Sequence, residues 1–149
     1  MNPAMTRSIV ALSARWRSRF VVKPEHLRRG ALGEKVAARF LWRRGYKILH
    51  RNFRGRSGGE IDIVCRDRDT LVFVEVKTRS RDDFGRPFDA VGRDKQKRIS
   101  RGALAWLRML DDPDILFRFD VVEVMIHEGS EPQIELLRNA FSLSEPYIY

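Results

Sequence analysis

Four residues in the 149-residue chain stand out by type and spacing: Glu60, Asp62, Glu75 and Lys77, near the two ends of the stretch Gly58–Lys77. β-Branched and apolar residues fill Ile61–Cys65 and Leu71–Val76, and Asp67-Arg68-Asp69 between them is turn chemistry. The stretch is therefore expected to form a β-hairpin. With an even number of residues in its loop, Asp62 falls opposite Glu75 and Glu60 opposite Lys77. One face then reads Glu60, Asp62, Val64 against Leu71, Phe73, Glu75, Lys77. The other reads Ile61, Ile63, Cys65 against Val72, Val74, Val76 and is apolar throughout, suited to burial under a helix. An odd loop would break this register.

Carboxylates at close range resist ionising together, and a divalent cation removes that cost. An all-oxygen donor set suits a hard ion, Mg²⁺ or Mn²⁺, better than Zn²⁺. A lysine two residues from a metal-binding Glu can orient an attacking water or steady negative charge growing on a phosphate. Charges at strand ends that simply emerge into solvent are the plain alternative. What weighs against it is the gathering of three acids and one ammonium at one end of an otherwise apolar hairpin face.

Asp62, twelve intervening residues and then Glu75-Val76-Lys77 resemble the signature of the PD-(D/E)xK nuclease superfamily. Around it, in order, come Gly33-Glu34, Gly59 to Val64, Val72 to Arg79, Phe84-Gly85, Ala90-Val91, Lys95-Gln96 and Arg118 to Val122. That order looks like the YraN-like bacterial family of predicted endonucleases, related to Holliday junction resolvases, over about residues 30 to 142. One departure is Ile61, where the superfamily pattern has proline before the aspartate. Proline inside a paired strand would remove a ladder hydrogen bond, so the change is mild. The resemblance implies a restriction-endonuclease-like α/β core. It also implies that Glu34, on a first helix, approaches a metal site formed with Asp62, Glu75 and Glu60. Structure-selective cleavage of branched or flapped DNA and a homodimer follow from the resemblance alone.

Composition sets the bounds. At 43% hydrophobic and 10% aromatic, the chain is that of one folded domain with a real core. The single cysteine, Cys65, rules out an internal disulfide and falls on the apolar hairpin face, where a buried structural thiol is expected. A reducing, cytoplasmic setting agrees with it. Apolar runs are too short to span a membrane. Net charge is +9, with seven basic residues and one acid in residues 1–29. The domain reading is a basic tail over 1–29 and a nuclease-like domain over 30–149. The tail reads as a short amphipathic helix or a disordered basic arm able to touch nucleic-acid phosphate; its fit to a transit peptide is weaker, and to a secretory signal poor. The overall charge suits a polyanionic partner, DNA.

The elements that must position the four residues are read as follows. From Arg29 to Arg44 the pattern is helical, with Leu32, Val36, Ala37, Phe40 and Leu41 as its stripe and Gly45 as its stop. Glu34 beside the stripe also suits a helix N-terminal dipole. Tyr46 to Leu49 is a short strand with an alternating tail through Phe53, and His50 is a strand or surface residue without a ligand partner. The basic loop from Arg51 to Gly59, with Arg54 and Arg56, leads into Glu60 and suits phosphate contact, or is a solvated loop. Arg79 begins a loop at the mouth of the site, where a substrate strand would pass. Ala90 to Leu110 is a helix with Ile99, Ala103, Trp106, Leu107 and Leu110 buried. Its N-terminal half is basic; Lys95 and Gln96 are assigned to substrate or site contact, against a plain solvated face. Phe117 to Ile126 is a strand parallel to the Glu75 strand across a β-α-β crossover. Ile134 to Leu143 is a last strand or a short helix.

The expectation is an α/β domain, α-β-β-β-α-β with a mixed central sheet, that hydrolyses DNA phosphodiesters with Mg²⁺ or Mn²⁺. The alternative is a non-catalytic nucleic-acid-binding module that keeps the fold. No Gly-rich nucleotide loop, Ser-His-Asp order or Cys-His zinc spacing competes with these readings.

Overall fold

The computed structural model describes residues 24–80, 91–110 and 114–147. Residues 1–23 of the expected tail over 1–29, the loop over 82–87 and residues 111–113 of the expected helix stop over 111–114 lie outside the described residues. The element order is α1 (Glu25–Arg43), β1 (Lys47–Arg54), β2 (Glu60–Asp67), β3 (Thr70–Arg79), α2 (Arg93–Leu110), β4 (Phe117–Met125) and β5 (Gln133–Phe141).

Helix α1 starts at Glu25, four residues before the helical pattern predicts, directly after Pro24. Proline's fixed φ suits a helix start. Its end is a Schellman closure. Gly45, at φ 88°, donates its N–H to the Trp42 carbonyl at 3.0 Å, and Tyr46 N–H reaches the Leu41 carbonyl at 3.1 Å. Only glycine takes that φ without strain, and the chain is thereby turned into β1. The buried face of α1 is Gly33, Ala37, Ala38 and Leu41. Leu32, expected in the stripe, is exposed; the packed face is centred on Gly33, Ala37 and Leu41, and Leu32 lies off it. Leu110 at the end of α2 is likewise exposed, and Trp106 is only partly buried.

Five strands form one sheet in the order β1-β2-β3-β4-β5, antiparallel except for the parallel pair β3–β4. The crossover through α2 makes that pair parallel, as the sequence predicts. The open reading of residues 134–143 resolves as a strand, β5. In the middle strand, β3, Leu71–Glu75 are all buried, as expected of a strand covered on both faces. On one face α1 packs against Ile63, Cys65, Val72, Val74, Val122 and Val124. On the other α2 packs against Ile61, Val64, Leu71, Phe73, Phe119 and Val121. Burial pushes the Cys65 thiol up to about 12, which makes it an inert structural group.

The hairpin register is met where the strands pair. Ile63 faces Val74, Val64 faces Phe73 and Asp67 faces Thr70, around the two-residue loop Arg68-Asp69. The ladder then stops at Ile63–Val74. Asp62 is therefore not ladder-paired with Glu75, nor Glu60 with Lys77; Glu60 pairs across to Arg54 on β1 instead. Ile61 also departs from the expected face and packs with Val64 under α2. The change coincides with an irregular stretch of β1, whose register against β2 also shifts between Ile48 and His50. Asn52 has a left-handed φ of 55° between the pairs Arg51–Ile63 and Phe53–Ile61. At that point both strands slip by one in their alternation. His50 and Phe53 come to one side of β1, their rings 5.8 Å apart. β2 turns away from β3 at Asp62.

Candidate functional site

The parting of β2 from β3 leaves a cleft of about 380 Å³, lined by His26, Arg29, Gly30 and Glu34 of α1, Asp62 of β2, Glu75, Val76 and Thr78 of β3, and Lys95 of α2. Two close approaches fix the helices beside it. A Cβ on Gly33 would lie 1.9 Å from Thr78 Oγ1, so α1 can lie on β3 only without a side chain there. A Cβ on Gly59 would lie 2.0 Å from the Gly102 nitrogen, so the start of β2 sits against the backbone of α2. The first contact brings Glu34 to the cleft; the second aims the first turn of α2 at Glu60 and Glu75.

Where the ladder ends, a side chain takes over. Val76 N–H donates to Asp62 Oδ2 at 2.8 Å, which fixes the carboxylate in the gap. Asp62 and Glu75 lie within side-chain hydrogen-bonding reach of each other. The Glu75 side chain is nine-tenths buried. Burial first, and the Asp62 charge second, push its carboxyl up to about 8, against the pull of Lys95. Its Oε2 is buried without a hydrogen bond. Lys95 Nζ stands 3.2 Å away, close enough for an ion pair but not aligned to donate.

Lys95 is shared. Its Nζ also donates to Glu60 Oε1 at 3.1 Å, and Arg98 donates to the same oxygen at 3.2 Å. The Lys95 hydrogen bond, helped by that of Arg98, holds the Glu60 carboxyl below the usual range despite partial burial. Burial works against the Lys95 charge, but Glu75, Glu60 and Asp62 outweigh it and raise the ammonium above the usual lysine range.

The expected residues thus divide. Asp62, Glu75 and Glu34 line one cleft, and Glu60 joins it through Lys95. Lys77 is half-buried, two residues past Glu75 and beside Glu123 of β4, and is not among the cleft-lining residues. Arg79 is ion-paired with Glu123, both largely buried. Gln96 donates its side-chain amide to the Val91 carbonyl at 2.7 Å, tying down the start of α2. Arg51 and Arg54 lie on β1, not in a loop, because the strand runs on to Arg54; Arg56 is in the short turn that remains, and all three are exposed. Sequence reasoning missed His26 and Arg29, assigned to the tail. The signal was Pro24 with a Glu25–Arg29 pair at helical spacing, which the structure closes at 2.8 Å.

The carboxylates of the cleft, Glu34, Asp62 and Glu75, offer oxygen donors. Among the described residues no group of three or more His, Cys, Asp or Glu lies close enough to hold a metal. A pair of carboxylates is nonetheless what Mg²⁺ commonly takes from a protein, its remaining positions being filled by water and phosphate oxygens. The buried, hydrogen-bond-free Glu75 Oε2 beside Asp62 fits such an ion. Among the described residues no helix is long and apolar enough to cross a membrane.

A second polar cluster lies near the β2–β3 turn. Arg118 donates to both oxygens of fully buried Asp120 at 2.9 and 3.1 Å, to Asp67 at 2.8 Å and to the Tyr46 hydroxyl at 3.2 Å. It ties β2, β4 and the residue before β1 together, and Arg118 is not among the cleft-lining residues.

Comparison with known proteins gives a consistent result. Residues 33–124 match the model of the family described as "Uncharacterised protein family UPF0102". A UPF0102 protein of Trichlorobacter lovleyi is 51% identical over 116 residues, covering 77% of this chain and 91% of the relative. One from Geobacter metallireducens is 51% identical over 115 residues, covering 77% and 93%. One from Rhodococcus opacus is 48% identical over 112 residues, covering 75% and 94%. The matched span takes in Glu34, the hairpin, Lys95 and the Arg118–Asp120 cluster, and on that span this chain belongs to the UPF0102 family, the YraN-like proteins.

Proposed function

We propose that the protein is a metal-dependent nuclease that hydrolyses DNA phosphodiester bonds, with branched or flapped DNA as the substrate class the resemblance implies. One observation carries the reading. Two carboxylates from strands that part company meet in an open cleft, and one keeps a buried oxygen without a hydrogen bond.

Asp62 and Glu75 would hold Mg²⁺ or Mn²⁺, with Glu34 across the cleft supporting the shell through water. A bound cation of this kind polarises a phosphate oxygen and makes a bound water more acidic. The chain's own residues do the rest. Val76 N–H holds Asp62 in place. Lys77, on the same strand as Glu75, is the group that would orient the attacking water or steady phosphate charge. Arg29 and His26 on the α1 side of the cleft are placed to meet a phosphate, and the exposed Arg51, Arg54 and Arg56 to meet the backbone beyond it. The free, buried Cys65 suits a reducing cytoplasm, and a homodimer is expected by analogy with resolvases.

The test is cleavage of labelled branched, flapped and single-stranded DNA with Mg²⁺ or Mn²⁺. Metal-dependent products are expected, abolished by EDTA and reduced at least about 100-fold in Asp62→Asn, the scale of losing one transition-state contact. Tight, metal-indifferent DNA binding without products from any substrate would instead support the non-catalytic binding module.

A further inference from the structure

We propose that Lys95 is the site's built-in counter-ion, and that a divalent metal binds by exchanging with its ammonium group at Glu75. The inference rests on the metal-site reading above and adds a residue that sets metal affinity.

The geometry of Lys95 is that of a placeholder. Its ammonium stands 3.2 Å from Glu75 Oε2 but is not aligned to donate to it. The Glu60 contact, at 3.1 Å, is a proper hydrogen bond. Lys95 is therefore anchored at Glu60 by an aligned hydrogen bond and holds Glu75 mainly by charge. A compact point charge on a four-carbon stem is suited to that use. The side chain is 30% exposed, so it has room to swing.

Exchange follows from charge. A divalent ion between Asp62 and Glu75 would stand close to the ammonium, and like charges at such range repel strongly in a partly buried site. Lys95 need not leave altogether. Releasing Glu75 while keeping Glu60 moves the charge away from the carboxylate pair. Glu60 also keeps Arg98 at 3.2 Å, so it stays neutralised throughout and is not needed as a metal ligand. Binding of the metal and release of Lys95 are then coupled, and coupling is reciprocal.

The experiment is Mn²⁺ binding to the full chain by calorimetry, without DNA, for wild type, Lys95→Met and Lys95→Gln, each alone and with Asp62→Asn. Lys95→Met removes the competing charge at similar length; Lys95→Gln keeps a donor for Glu60 should the methionine variant fail to fold. The expected result is Mn²⁺ affinity raised about tenfold or more by either substitution, an ordinary size for coupled sites, and lost with Asp62→Asn. Binding in the Lys95 variants with none detectable in wild type would also support the exchange. Equal or weaker affinity in the variants would overturn it and leave the metal site standing. No Mn²⁺ binding in any protein would overturn both.

Discussion

Glu75 carries the site's most unusual chemistry. It is nine-tenths buried beside another carboxylate, and the structure holds its carboxyl near 8 where 4.5 is ordinary. Burial and the neighbouring Asp62 charge let the Glu75 carboxyl keep its proton near neutrality. The folded state therefore binds this proton up to about pH 8, and the unfolded chain only to about 4.5. Stability tied to the proton is complete below the lower value and is lost as pH rises through the upper one. Glu75→Gln mimics the protonated form and lacks the dependence. The stability of wild type relative to Glu75→Gln is expected to fall by about 1.4 kcal/mol per pH unit between about pH 5 and about pH 8. Urea unfolding at several pH values reads this directly, and a flat difference would show that Glu75 is ionised throughout. Saturating Mn²⁺ should abolish the slope, since a cation does the proton's work. At this scale the sequence was readable for Asp62 and Glu75, whose positions follow from one hairpin. Lys95, twenty residues further on, was expected at the site from the basic start of its helix, and it does line the cleft; its pairing with Glu75 was not readable, because only the packing of α2 brings the ammonium there.

The elements meet at glycines. Gly33 lets α1 lie on Thr78, and Gly59 lets β2 start against the backbone of α2. The contact of a Gly33 Cβ with Thr78 includes the Thr78 Cβ at 2.9 Å, so rotating the hydroxyl does not relieve it. Gly33→Ala is expected to cost about 1–3 kcal/mol, the range for overpacking. Gly59→Ala should cost at least as much, since the obstacle is backbone. In a chain this size that lowers Tm by roughly 3–10 °C, measurable by calorimetry; an unchanged Tm for both would mean that the helices are not held this closely. Gly33→Ala should also loosen Glu34 from the cleft. Element types were legible because β3 is a continuous apolar run and both helices show an apolar stripe. The register of the paired part of the hairpin was legible too, since a two-residue loop fixes it. The end of the ladder was not. It coincides with a left-handed Asn52 in a different strand, and asparagine tolerates that conformation without announcing it. The change of face at Ile61 and the end of the ladder before Asp62 fall at that same position along β2.

Across the whole molecule, positive charge is abundant but unequal in what it can do. Arg118 is committed to Asp120 and Asp67, and Arg79 to Glu123. These guanidiniums hold the sheet together and have little left to offer a phosphate. Arg51, Arg54 and Arg56 lie exposed on the β1 edge and its turn, with Arg54 directly across from Glu60. Neutralising a duplex phosphate releases counterions, and log affinity falls with log salt by about 0.9 per contact. Replacing the three exposed arginines with alanine is therefore expected to weaken DNA binding alike for all sequences and to flatten the salt slope by up to about 2.7. Arg79→Ala should behave in the opposite way. It strips a buried carboxylate of its guanidinium at a cost of about 3–5 kcal/mol of stability, and leaves the salt slope where it was. Fluorescence anisotropy with labelled duplex at several salt concentrations, set beside urea unfolding of the same proteins, separates the two. If Arg79→Ala flattened the slope while the triple variant did not, the phosphate-binding face would lie at the β3–β4 end of the sheet and not along β1.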